Sequence, residues 1–372
     1  MKIKCSKSNL MTSINTVIRA VPSKTTMPIL ECILIDCNSG EIKLTSTNLE
    51  LGIETIVDGS IIEKGCMAIK AKNLSDIVRN LPDSDIYIEG DGEYKVKISS
   101  EKAKFNIPCF SGEDFPELTK VNKDSSITIS KMALKDIIRQ TIFSISDNDN
   151  SKMMTGELFE VSSNVLSVTA LDGQRIAIRK LELKGDNSDM RAIVPGKTLG
   201  EIRRIIGSDS DDEVNIYFND KNILFEFDNT RVVSRLIEGS YFKIGNLLSI
   251  DLDLCIRINR LDFLACMERT ALLIMESDRK PVVLKSGEND DILSVQVDTN
   301  LGSMNEEISI EKDGGEVLIG INNSYIMDVL REVEDETVSI YMKDLRSPMT
   351  IKDDEGKYIY IVMPININRN NY

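Results

Sequence analysis

Histidine is absent from all 372 residues, which removes the commonest general base and the commonest transition-metal ligand together. The remaining residues that could do chemistry form incomplete sets. Gly196-Lys197-Thr198 stands between a strand pattern and a helix pattern as a phosphate-binding loop does, but the loop's first glycine would fall at Arg191. Asp147, Asp149 and Ser151 are spaced like the first ligands of a calcium loop, with Lys152 where the turn glycine belongs and Leu158 where the bidentate glutamate belongs. Asp172, Arg175 and Lys197 make up the kind of set with which a phosphometabolite enzyme would hold its substrate. The acidic runs 209–213 and 353–355 read as solvated hairpin tips, not as paired catalytic acids. Seven cysteines, an odd number with no C-x-x-C pair, read as small core residues, as at Cys32, Cys109 and Cys266. No catalytic residue, metal or cofactor is expected.

A formal net charge of -15 repels a polyanion that carries one negative charge per roughly 1.7 Å of duplex. Cations nevertheless gather on segments that read as helices: Lys72, Arg79, Lys131, Lys135, Arg139, Lys197, Arg203, Arg204 and Arg269. Lys131, Lys135 and Arg139 follow helical spacing beside the apolar Leu134, Ile137 and Ile138, a stripe that would meet solvent or phosphate.

The elements that must position these groups recur three times. Ile3-Lys4-Cys5-Ser6, Ile127-Thr128-Ile129-Ser130 and Ile256-Arg257-Ile258-Asn259 each run a short alternating strand into a helix-capping residue, at intervals of roughly 125 residues. Asp76-Ile77, Glu201-Ile202 and Asp328-Val329 mark a second helix in each unit, and Thr47-Asn48-Leu49 returns as Thr299-Asn300-Leu301. Period-two runs at 157–161 and 165–170 predict half-buried antiparallel strands. Each unit therefore reads as helix, strands, helix, strands: an α+β domain of two similar lobes. Polar stretches place the three domains at 1–122, 127–246 and 250–372. The chain holds no apolar run long enough to span a bilayer, and Met1-Lys2-Ile3-Lys4 lacks a secretion signal's apolar core, so no membrane partner and a cytoplasmic location are expected.

Short segments in a specific order carry a family resemblance: Pro28-Ile29-Leu30, Asp114-Phe115-Pro116-Glu117-Leu118, Asp172-Gly173 with Arg175 and Ala177, Val194-Pro195 with Lys197, and Tyr360-Ile361-Val362-Met363-Pro364. Through them the whole chain resembles the bacterial DNA sliding clamps, the beta subunits of DNA polymerase III. The resemblance implies three tandem clamp domains, with helices inside and sheets outside a ring closed by a head-to-tail homodimer. It implies a sequence-independent, topological hold on duplex DNA. It also implies docking of the replicative polymerase and other clamp-motif proteins, and an ATP-driven clamp loader to open the ring. The readings set against it are a phosphometabolite enzyme and an acidic repeat scaffold that binds proteins without encircling DNA.

Residue by residue, the resemblance assigns Lys24, Lys72, Lys152 and Lys197 to the DNA side, and helix placement adds Arg203 and Arg204. It assigns a partner-peptide cleft to Met154, Leu171, Gly173, Gln174, Arg175 and Ile176, to Phe242, Asn246 and Leu247, and to Tyr325, Pro348, Val362, Met363, Pro364 and Ile365. Tyr241-Phe242-Lys243-Ile244 stands where relatives usually have Tyr-Pro-Asp-Tyr, so Phe242 is expected to narrow or reshape the apolar pocket. Gln174, Asn246 and Asn366 are further departures, and an unusual tail runs to Tyr372. For the ring joint, Phe105, Ile107, Leu272 and Leu273 match the apolar centre, with Lys102 and Lys104 facing Glu306 or Glu307.

Overall fold

The computed structural model describes residues 1–367 apart from 93, 186, 188, 208–211, 249–251, 276–279, 289 and 345–346. The C-terminal end of the tail and most of the acidic run 209–213 thus lie outside the described residues.

The three capped strands form as their alternation dictates. Ile3 and Cys5, Ile127 and Ile129, and Ile256 and Ile258 point inward from Lys2–Ser6, Ser126–Ser130 and Leu254–Asn259. Each strand delivers its cap to a helix. The Ser6 hydroxyl accepts from the Asn9 N–H at 3.2 Å ahead of Lys7–Val17, and the Ser130 hydroxyl accepts from the Ala133 N–H at 3.2 Å ahead of Lys131–Arg139. Asn259 accepts from both Leu261 and Asp262 ahead of Arg260–Ala271. These bonds satisfy amides that the helix itself leaves unpaired. The second helix of each repeat follows a strand, directly at Ala71–Asn80 and Gly196–Ile205 and after the capping Asn322 at Asn323–Glu332. The Thr47 turn recurs as well: the Leu49 and Leu301 amides donate to the hydroxyls of Thr47 and Thr299.

The described residues fall into two compact units, 1–134 with 197–236, and 135–196 with 237–372. The division follows the sheets and cuts through the middle repeat. In the first unit, Leu51–Val57 pairs with Thr230–Arg235 in register Ile53 to Val232, which continues one nine-stranded antiparallel sheet from the first repeat into the second. A five-stranded sheet completes the unit, in the order Gly59–Glu63, Lys2–Ser6, Asp85–Gly90, Lys95–Ser100, Ala103–Pro108. Lys7–Val17 and Ala71–Asn80 pack side by side in this unit.

The second unit repeats the device. Arg175–Glu182 pairs with Tyr358–Val362 in register Ile178 to Ile359, within a twelve-stranded antiparallel sheet that runs from Met190–Pro195 to Val317–Ile321. Arg260–Ala271 packs on Asn323–Glu332, where the Asn323 side-chain amide donates to the Met267 carbonyl at 3.0 Å. Ile256, Ile258, Phe263, Ile326 and Leu330 fill the core beneath these two helices.

Candidate protein-docking and nucleic-acid sites

The residues assigned to the peptide cleft all belong to the second unit. Leu158, Leu171, Ile176, Ile178, Ile193, Ile237, Tyr241 and Ile361 form one apolar cluster, against which Met153, Met154, Ile244 and Leu247 pack half-buried. Met154, Leu171, Ile176 and Leu247 therefore converge as expected, with Leu171 and Ile176 as a buried floor. Val362 is 1% exposed and belongs to the adjacent core, so its contribution is packing and not contact. Beyond it the chain crosses the sheet end as a strap: the Met363 N–H donates to the Gln174 carbonyl and the Ile365 N–H to the Gly320 carbonyl, each at 2.8 Å. A Cβ on Gly320 would lie 2.5 Å from Ile367, so only glycine lets the strap pass this close. Met363, Pro364, Ile365, Tyr325 and Pro348 are left half-buried. Asn246 sits in the short helix Gly245–Leu248, and its side chain lies outside what is described.

Gly173, at φ +90, turns the chain between Val165–Leu171 and Arg175–Glu182. The Asp172 carboxylate closes that turn by accepting from the Gln174 and Arg175 amides at 2.8 and 3.0 Å. Arg175 is a pin. Its Nε donates to Asp172 at 3.1 Å and its Nη1 to Asp328, while its guanidinium lies 4.4 Å from the Tyr325 ring centroid and 5.6 Å from that of Phe143. With Asp172 and Arg175 satisfied by each other and by the fold, neither is poised to hold a phosphorylated substrate.

Phe242 is exposed and lines a cavity of about 380 Å³ with Thr169 and with Leu158, Tyr241 and Ile244, which belong to or pack on the apolar cluster. Sequence reasoning passed over Met153 and Ile244, which pack on the cleft floor. Ile244 stood within the noted departure from the family pattern, and an apolar residue there was the available signal.

Of the DNA-side candidates, Lys24, Lys72, Lys152, Lys197 and Arg204 are exposed and Arg203 is half-buried. Lys72 and Lys197 hold the same second position of equivalent helices. Arg204 is partly neutralised by Glu201 at 2.7 Å, which also pairs with Arg19 at 3.1 Å. The stripe of Lys131, Lys135 and Arg139 is corrected. Lys131 is 4% exposed and bonded to Asp212 at 3.2 Å and Asp228 at 2.5 Å. Burial alone would lower its pKa, but the bonds to Asp228 and Asp212 outweigh it, and the value is raised. Arg139 binds Glu332 and Glu334, each at 2.7 Å. These two cations hold the fold and do not form a phosphate-facing line.

The joint candidates occupy strand edges. Ala103–Pro108 is the last strand of its sheet, so Phe105 and Ile107 lie beside the buried Ile98 and Val96 with no strand paired on the other side among the described residues, and Phe105 is left 39% exposed. Lys102 and Lys104 are exposed as well. Gly302–Asp313 pairs over 302–309 with Ile292–Thr299 and over 310–313 with Leu254–Asn259. Among the described residues no strand covers the second edge of 303–309. Leu272 is 79% exposed, whereas Leu273 packs half-buried on the core. Within the chain the Arg269 guanidinium takes both oxygens of Glu306, the Nε bond at 2.8 Å, whereas Glu307 is exposed.

Three consecutive domains of mixed helix and antiparallel sheet, joined by shared sheets, define a β-clamp protein. Profiles of the DNA polymerase III beta subunit match along the chain: the N-terminal domain over 1–119, the central domain over 128–243 and the C-terminal domain over 247–366. A beta sliding clamp from Staphylococcus epidermidis is 30% identical over 375 residues, spanning 98% of this chain and 99% of that protein. Among solved structures, one described as a DNA polymerase III beta subunit from Eubacterium rectale is 51% identical with a TM-score of 0.96, covering 99% of this chain and 100% of that one. The DNA polymerase sliding clamp of Bacillus subtilis is 27% identical with a TM-score of 0.95, again over 99% and 100%. The chain belongs to the DNA polymerase III beta subunit family, the bacterial sliding clamps. It is a non-enzymatic processivity factor of DNA replication, and neither the enzyme reading nor the DNA-free scaffold is favoured. No helix among the described residues is long and apolar enough to cross a membrane.

Proposed function

We propose that two copies of this chain close head to tail into a ring around duplex DNA, with domains at 1–122, 127–246 and 250–372. The observation that carries the reading is a pair of strand edges, Ala103–Pro108 and 303–309, that no strand covers among the described residues. The first carries the apolar side chains Phe105 and Ile107, and the second carries Met304. Joined between copies, the two edges extend both sheets and bury what a monomer leaves wet.

Lys24, Lys72, Lys152, Lys197, Arg203 and Arg204 face the phosphates, while the net charge of -15 keeps DNA off other surfaces. Contacts to phosphate without base readout leave the ring free to slide. The replicative polymerase and other clamp-motif proteins dock by apolar anchors on Met154, Leu247, Tyr325, Pro348, Met363 and Pro364. That strip is half-buried and apolar over a rigid floor, which suits peptide anchors. An ATP-driven loader opens the ring, in the cytoplasm. Loading onto nicked circular DNA with a clamp loader tests the reading: the protein should co-elute with circles and be lost after linearisation. Equal retention on linear DNA would reject encirclement.

A further inference from the structure

Tyr241 is 3% exposed, and its hydroxyl is shared between the carbonyls of Gly156 at 3.3 Å and Thr169 at 3.2 Å. Those bonds anchor the Tyr241 ring to the sheet, while the next side chain, Phe242, is left exposed. Its ring stands edge-on to Tyr241, centroids 6.2 Å apart at 73°, and is 41% exposed at the mouth of the 380 Å³ cavity. Aromatic side chains such as Phe are enriched at protein interfaces, and an exposed one beside an apolar hollow offers a partner side chain a place to pack. The hollow adjoins the docking cleft, because Leu158 and Tyr241 belong to the same cluster as Leu171 and Ile176. Its rim is positive: Lys243 is exposed, and Arg191 pairs with Glu160 at 3.5 Å, the one acid among the described residues that line the cavity. In a chain of net charge -15, that sign favours a carboxylate.

We propose that this cavity is an additional specificity pocket of the docking cleft, taking a bulky apolar side chain of the partner peptide against Phe242 and an adjacent acidic residue at Lys243. The inference rests on the cleft reading given above. A partner with only the core apolar anchors binds the cleft alone; one extended by an apolar-acidic pair binds both.

The test is fluorescence anisotropy on the full chain with a labelled synthetic pentapeptide of two leucines and a phenylalanine, and with the same peptide extended by Trp-Asp at either end. One extended form should bind roughly tenfold more tightly than the core peptide. That ratio should fall towards one in Phe242→Ala and drop severalfold in Lys243→Glu. Failure of the wild-type chain to bind the core peptide would reject the cleft reading. Core binding with no gain from either extension, or a gain that survives in both variants, would reject the pocket. A larger assembly by sedimentation that Phe242→Ala abolishes would assign the cavity to another copy of this chain and overturn the proposal.

Discussion

The Thr141 hydroxyl donates to the Glu157 carboxyl across 3.1 Å at a site with 0% exposure. The other carboxyl oxygen, Oε1, has no hydrogen-bond partner among the described residues. Burial pushes the carboxyl up to about 8 from 4.5, and the Thr141 bond pulls it back only in part. The folded chain therefore holds a proton that the unfolded chain has released, and stability falls as pH rises from about 4.5 to about 8. Glu157→Gln keeps the Thr141 bond and cannot ionise. Its stability relative to wild type should improve by about 1.4 kcal/mol per pH unit across that window. Thermal midpoints of both proteins at about pH 5 and about pH 8.5 check this. Parallel curves would show that Glu157 ionises normally.

Leu272→Asp should yield a folded monomer, because the side chain is 79% exposed and its loss leaves the core untouched. Leu273→Asp is expected to cost stability as well, since Leu273 packs on the core of its own unit. Sedimentation paired with thermal melting separates the two. A dimeric Leu272→Asp protein would remove this residue from the joint.

Charge reversal at Lys72 and Lys197 together should weaken DNA binding and flatten its salt dependence by about one unit of slope for each phosphate no longer neutralised. Arg204→Ala should do less, because Glu201 already holds that guanidinium at 2.7 Å. Salt titrations of each variant on duplex DNA provide the ranking. Equal losses would mean that the Glu201 pair opens on binding.

Lys131→Met should lower stability by about 1 kcal/mol, at the modest end because Asp212 and Asp228 are largely exposed. It should leave the salt slope of DNA binding unchanged. A reduced slope would return Lys131 to the phosphate-facing set.

The local grammar of this fold is open to direct reading. Ser6, Ser130 and Asn259 cap helices because a strand ends where an acceptor side chain begins, and both residues and bonds are short-range. The cleft floor was legible only through the family resemblance, since Leu171 and Ile176 alternate like ordinary strand residues. What stayed hidden depends on distant partners. Lys131 looks like one step of a basic stripe until Asp212 and Asp228, far along the chain, close on it. Glu306 looks free until Arg269 reaches it. Phe242 occupies a position the family marks, but the cavity it lines is completed by Leu158, Thr169 and Arg191, which lie far from it along the chain.

The seam between Leu51–Val57 and Thr230–Arg235 is stitched by backbone pairing, by the Thr55 and Thr230 hydroxyls at 2.9 Å and by Arg231 with Glu54 at 3.5 Å. Lys123 adds a tie to Glu226 at 2.6 Å. Covalent continuity just after it is therefore redundant to cohesion. A protease nick between Asp124 and Ser125 should leave two pieces that still co-elute, and the same pieces synthesised apart are expected to reassemble as a split protein.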